Sequence, residues 1–121
     1  MPFITIELPD TLQFSLHSFA QKVHTHLNEA LDIPVEKLKT KLLRLSEVYV
    51  GHGDPLHTYA NVKIELMAGR DRQKLINAAN VILEYFTEAL QEQNPDCNCR
   101  VTCEFREIDP QLLVAAQIPK A

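Results

Sequence analysis

One backbone nitrogen and three cationic side chains are the groups in this 121-residue sequence that could do chemistry: Pro2, Lys39, Lys41 and Arg70. If Met1 is removed, the Pro2 nitrogen becomes a secondary amine; while Met1 remains, it is an amide. A free α-amino group has a reference pKa of about 7.7–8.0. Burial or nearby cations push that value toward neutrality, where an amine can both accept and return a proton as a general acid–base catalyst does. Positive charge gathers at one place, Lys37, Lys39, Lys41 and Arg44. In an extended strand Lys39 and Lys41 share a side, two residues apart, and Arg44 points the other way. Either the two lysines form a carboxylate-binding pair or they are a solvated face.

Three cysteines, Cys97, Cys99 and Cys103, would share one side of a strand. An odd number argues against a disulfide framework. Their spacing is not that of a zinc ribbon or finger. A three-thiolate metal site and small buried core residues are the two readings; we expect no metal and no cofactor. His24 and His26, two apart on a helix, do not face each other and are read as surface residues rather than a metal pair.

The elements that must position these groups follow from periodicity. Phe3, Thr5 and Glu7 alternate with Ile4, Ile6 and Leu8, a strand that would hold the proline nitrogen at a fixed point. Leu16, Phe19, Ala20, Val23, Leu27, Ala30 and Leu31 keep a 3.6-residue period, predicting a helix from about Leu16 to Ala30 with Ser15 as N-cap. Val35 to Val50 is ambiguous between helix and strand. Gly51 to His57 is a loop. A strand from Tyr59 to Leu66 and a helix from Arg72 to Gln91 follow. Gln93-Asn94-Pro95-Asp96 stops that helix, and Cys99 to Glu107 alternates as a strand with one buried side. The apolar segment after Asp109-Pro110 is expected to pack on a neighbour or another subunit.

An internal repeat resolves the ambiguous stretch. Ile4-Thr5-Ile6-Glu7-Leu8 matches Val62-Lys63-Ile64-Glu65-Leu66 at an offset of 58. The two helices fall at the same offset, and so does Lys37–Leu45 against a last strand starting near Pro95. The middle segment is therefore expected to be a strand. The fold class is α+β: one domain over residues 1–121, with pseudo-repeats at about 2–50 and 59–108. Two consecutive β-α-β units form a four-stranded sheet, and right-handed crossovers lay both helices on one face. The other face is expected to carry too much apolar surface to stay wet, which implies a homo-oligomer. Pro2 aligns with Ala60 and Arg70 with Leu12, so one subunit supplies one amine.

Composition bounds the rest. The net charge of −4 and the lack of a basic tract argue against nucleic acid as a partner. No apolar run is long enough to cross a membrane, and no secretory leader is visible, so cytoplasm is the expected compartment.

Met1-Pro2-Phe3-Ile4, the βαβ repeat, Asp54…His57-Thr58-Tyr59-Ala60 and Gly69-Arg70-Asp71-Arg72-Gln73-Lys74 together resemble the tautomerase superfamily over nearly the whole chain. Within it the 5-carboxymethyl-2-hydroxymuconate Δ-isomerases are the most similar. The resemblance implies a tautomerase, MIF-like fold, a trimer with active sites near subunit boundaries, and an amino-terminal proline as catalyst. It implies enol–keto isomerisation of an unsaturated 2-hydroxy or 2-oxo dicarboxylate, of the kind met in aromatic-compound degradation. Pro2 would move the proton and Arg70 would bind a substrate carboxylate. Where the family pattern has arginines in the middle strand, this chain has Lys39 and Lys41, which offer point charges rather than planar forks. A trimeric binding protein on the same scaffold, with little or no catalysis, is the competing expectation.

Overall fold

A computed structural model describes residues 1–92 and 96–121. Its elements, in order, are β1 (Phe3–Pro9), α1 (Leu16–Leu31), β2 (Lys39–Leu45), β3 (His57–Met67), α2 (Arg72–Gln91) and β4 (Asn98–Ile108), with single 3₁₀ turns at Val35–Lys37 and Pro110–Leu112. The expected strand in the middle segment exists, but only from Lys39 to Leu45. The residues before it wind into a 3₁₀ turn because Lys37 and Leu38 donate their amides back to the Pro34 and Val35 carbonyls, at 3.0 Å each. The stop at Gln93–Pro95 lies outside the described residues; α2 itself ends at Gln91.

The sheet order is β2-β1-β3-β4. β1 and β2 are parallel, β3 and β4 are parallel, and the two units meet antiparallel through β1 and β3. Thr5 pairs with Lys63, its own counterpart at an offset of 58, so an approximate two-fold axis passes between them. The helices and the outer strands do not keep that offset. Val23, Leu27 and Leu31 of α1 correspond to Ile82, Phe86 and Leu90 of α2, a step of 59. Phe3 pairs with Lys39, whereas Asn61 pairs with Thr102, so β4 stands 63 positions after β2. The reason is length: α2 has 20 residues and α1 has 16, and the chain returns to the sheet later in the second half.

Strand alternation sends Ile4, Ile6, Leu8, Ala60, Val62, Ile64 and Leu66 to the helix side, where each is at most 1% exposed. Phe19, Val23, Leu27, Ile82 and Phe86 cover them from the two helices. Phe14, Phe19 and Phe86 form an aromatic cluster with ring centroids 5.2–5.7 Å apart. This burial supplies most of the drive to fold, at roughly 25 cal/mol per Å². Cys99 and Cys103 belong to this side, against the core. Burial pushes the Cys103 thiol up to about 12 and raises Cys99 as well.

The opposite sheet face departs from expectation. Phe3, Leu43 and Tyr59 are exposed there. By the pairing registers they stand among Lys39, Lys41, Glu7, Lys63, Glu65, Glu104 and Arg106, and Lys63 reaches Glu7 at 3.2 Å. The alternation that loads the helix side with aliphatic residues leaves mainly polar ones for this face. An oligomer therefore cannot be argued from its hydrophobicity.

Candidate functional site

The amino end of β1 lies at the end of the sheet where several elements converge. Because β2 is parallel to β1, its first residue, Lys39, stands beside Phe3, and its amide donates to the Pro2 carbonyl at 3.3 Å. Because β3 is antiparallel, its last residues stand on the other side, one step past the Phe3–Glu65 pair. Pro2 is buried and, alternating with Phe3, falls on the side of Ile4. Lys39 lies on the other side, its ammonium 5.7 Å from the centre of the Phe3 ring and donating to the Lys37 carbonyl at 3.2 Å.

The field at this point is legible from the Met1 amine. Its pKa is lowered from 8.0 to about 6, first by hydrogen bonding with Lys39, then by partial burial, then by the charges of Lys39 and Lys37. A cation nearby disfavours a second positive charge, so an amine here holds its proton weakly. Lys37 is the contributor that strand reasoning missed. It lies in the 3₁₀ turn and not in the strand, and the only signal for it was its place in the basic cluster.

Arg70 reaches the same end by a different route. Past β3 the chain turns at Gly69, whose φ of +114° favours a residue without a Cβ. Asp71 then caps α2 by accepting from the Lys74 amide at 3.3 Å. In between, the Arg70 guanidinium donates to the Leu31 carbonyl at 2.8 Å, occupying one unpaired acceptor at the end of α1. Arg70 is thereby drawn to the helix side, the side of Pro2, with its other N–H donors uncommitted by that bond. Lys41 lies one row further along the open face, beside Thr5. Within one copy the structure thus sets the Lys39 backbone beside Pro2 with the lysine side chain on the opposite face, puts Arg70 at the same end, and leaves Lys41 one row further along.

Other residues singled out in the sequence take different places. Arg44 points away from Lys39 and Lys41 as expected, donating to the Leu12 and Phe14 carbonyls at 3.1 and 3.4 Å. His57 and Asp54 pair at 3.7 Å at the opposite end of the sheet from Pro2. His24 is not a surface residue: it is half-buried against β2 and hydrogen-bonded to Thr40 Oγ1 at 2.7 Å, and burial lowers its pKa. His26 packs edge-on to Tyr85. Ser15 takes the N-cap position of α1 through its backbone, with no side-chain bond. Among the described residues no group of three or more histidine, cysteine or acidic side chains is placed to hold a metal ion.

A family model for 5-carboxymethyl-2-hydroxymuconate isomerase matches residues 2–117. The chain belongs to that family, a group of isomerases on the tautomerase fold. Solved structures agree on the fold. A 5-carboxymethyl-2-hydroxymuconate isomerase from Deinococcus radiodurans R1 superposes with a TM-score of 0.84 at 19% identity, covering 97% of this chain and 90% of that one. A fused 4-OT wild-type asymmetric trimer gives 0.69 at 18% identity, covering 93% and 91%. A macrophage migration inhibitory factor-like protein from Entamoeba histolytica gives 0.64 at 13% identity, covering 95% of each chain. No curated protein matches the chain at the level of sequence.

Proposed function

We propose that the chain is a keto–enol isomerase of an unsaturated 2-hydroxy or 2-oxo dicarboxylate, with the Pro2 nitrogen, once Met1 is removed, as its general acid–base group. The observation that carries the reading is the field at the start of β1. Lys39 and Lys37 lower the pKa of the Met1 amine, and the same cations would disfavour the protonated form of a Pro2 amine and favour its use as a base. The free amine takes a proton from the dienol oxygen, or from carbon next to a carbonyl. It returns that proton to another carbon of the conjugated chain, so the reaction shifts a proton and a double bond with no net change in composition. Negative charge that builds on oxygen is met by cations fixed in advance. Arg70, free to present paired N–H donors, binds one substrate carboxylate, and Lys39 and Lys41 offer point charges to the other. Because Lys41 and Arg70 lie apart within one copy, their joint use requires a site shared between copies, in keeping with a trimer. No metal or cofactor enters the scheme.

The test is a panel of 2-hydroxymuconate-like dienols and phenylpyruvate, run on wild type and Pro2→Ala with intact-mass measurement of both. Ketonisation that requires loss of Met1 and disappears in Pro2→Ala supports the mechanism. Full activity in Pro2→Ala refutes it. A wild type that has lost Met1 and binds these acids without turnover supports instead a binding protein on this scaffold.

A further inference from the structure

β2 carries the two lysines that the proposed function assigns to a substrate carboxylate, and within one copy it is held less firmly than the inner strands. It pairs with β1 alone, and none of its residues is fully buried. Its side chains divide by alternation. Lys39 and Lys41 lie on the open face; Thr40, Leu42 and Arg44 lie on the helix side. On that side each end of the strand is tied by a side chain. Arg44 donates to the Leu12 and Phe14 carbonyls at one end. At the other, Thr40 Oγ1 meets His24 Nε2 of α1 at 2.7 Å. Leu42, between the two ties, packs against the core.

The His24 tie acts at the residue between the two lysines. Thr40 stands between Lys39 and Lys41, so a bond that fixes Thr40 fixes the backbone from which both ammonium groups extend. The surroundings of His24 suit a mechanical role. It is half-buried in a groove of about 560 Å³ between α1 and β2, lined by Leu16, Ala20, Val35 and Thr40 among others. Burial lowers its pKa from the ordinary value, so the ring is neutral at pH 7 and adds no charge to that of the lysines. One nitrogen of a neutral imidazole donates and the other accepts, so Nε2 pairs with the hydroxyl in either sense. The same helix braces Arg70, whose guanidinium rests on the Leu31 carbonyl seven residues further on. Removing the His24 bond loosens β2 and leaves that second brace in place.

We infer that His24 is a positioning residue: through Thr40 it fixes the segment of β2 that presents Lys39 and Lys41, and it thereby sets a preference for acids with two carboxylates over acids with one. An ammonium group on a flexible stem has no planar fork to orient its partner, so its placement depends on the backbone that carries it. A binding group is only as well placed as the residues that lock it. The inference rests on the proposed role of the two lysines as carboxylate ligands, and not on Pro2 chemistry.

The experiment measures binding of trans,trans-muconate and of sorbate, the same six-carbon diene with one carboxylate, by calorimetry. Wild type is expected to prefer muconate. In His24→Leu and in Thr40→Val muconate should bind about fivefold more weakly, the worth of a well-placed exposed ion pair, with sorbate changed less than about twofold. The double variant should be no weaker than either single one, because both remove one bond. His24→Gln, which keeps a side-chain hydrogen-bonding group at that position, should recover most of the muconate affinity. Amide hydrogen exchange of residues 39–41 should be roughly tenfold faster in His24→Leu, with Ile64 unchanged. Faster exchange with an unaltered preference overturns the inference, as does an equal loss for both acids or a failure of His24→Gln to recover. If His24→Leu loses its circular dichroism spectrum, Thr40→Val, which removes only the hydroxyl, decides by the same criteria. Ketonisation that depends on Pro2, with the preference intact in both variants, removes the positioning role alone. A wild type that neither turns over a dienol nor binds muconate removes this role and the isomerase reading together.

Discussion

Replacing Lys39 with Met should raise the pKa of the amine at the start of β1. The Met1 amine stands at about 6 against an ordinary 8.0, and the Lys39 hydrogen bond is the first cause, its charge a further one. Both contributions disfavour the protonated form, so removing them makes the proton harder to lose. The amine is largely open to water, which screens the Coulomb part, so the expected rise is about one to one and a half units rather than a full return. At pH 7 an amine of pKa about 6 is roughly nine-tenths unprotonated, whereas one of pKa about 7.5 is roughly one-quarter unprotonated. The assay is light ¹³C-methylation of the Met1 amine, followed by NMR titration of wild type, Lys39→Met and Lys120→Met. Lys120 is exposed beyond β4 and controls for loss of one charge. High salt should shift the wild-type midpoint part of the way toward that of Lys39→Met. If Met1 is removed, the same logic applies to Pro2: a general base works unprotonated, so the acid limb of kcat/KM moves to higher pH in Lys39→Met. A Lys39→Met midpoint identical to wild type would refute the account of the field, and with it the electrostatic argument for Pro2.

Arg70→Ala loses the bond to the Leu31 carbonyl and should cost about 1 kcal/mol of stability by denaturant unfolding. If Arg70 binds substrate, KM for a dicarboxylate rises about tenfold or more as well, and Arg70→Lys restores stability better than it restores KM. Phe86→Ala empties a fully buried position in the aromatic cluster and should cost about 3–5 kcal/mol by the same measurement. Cys103, its thiol held up at about 12, should resist Ellman's reagent at pH 8 in the native protein and react within minutes once guanidinium unfolds it, read by mass mapping of the labelled cysteine.

Much of this fold could be read before any coordinates, and the reasons are particular. β1, β3 and β4 announce themselves because one side of each is buried and the other wet, which imprints period two on the residues. The helix stripes through Val23 and Leu27, and through Ile82 and Phe86, imprint 3.6 in the same way. β2 had no such imprint. Its sequence KTKLLRL sets Leu42 and Leu43 on opposite sides and so blurs the alternation, and only its place in the repeat identified it. The step from 58 to 63 between β2 and β4 was invisible because it depends on where α2 releases the chain. His24 was misread for a related reason: its burial is made by Thr40, sixteen residues away, and local spacing carries no trace of that contact. The polarity of the open face was in plain view as Lys41, Lys63, Glu65 and Arg106, yet it becomes a single surface only when the registers are known. Pro2 could be nominated from the sequence, but the alignment that sets Lys39 beside it rests on the parallel pairing of β1 with β2.

The approximate two-fold axis between Thr5 and Lys63 has an outcome for how this chain can vary. It generates two matching clefts, one above each sheet margin: Leu16, His17 and Ala20 line the first, and Leu75, Ile76 and Ala79 line the second at a constant step of 59. In a protein assembled from identical short halves, any substitution would alter both clefts together. Here the halves are written separately on one chain, so the first cleft carries imidazole and hydroxyl groups while the second carries Arg72, Phe105 and Glu107. The two corresponding clefts are thus free to select different occupants.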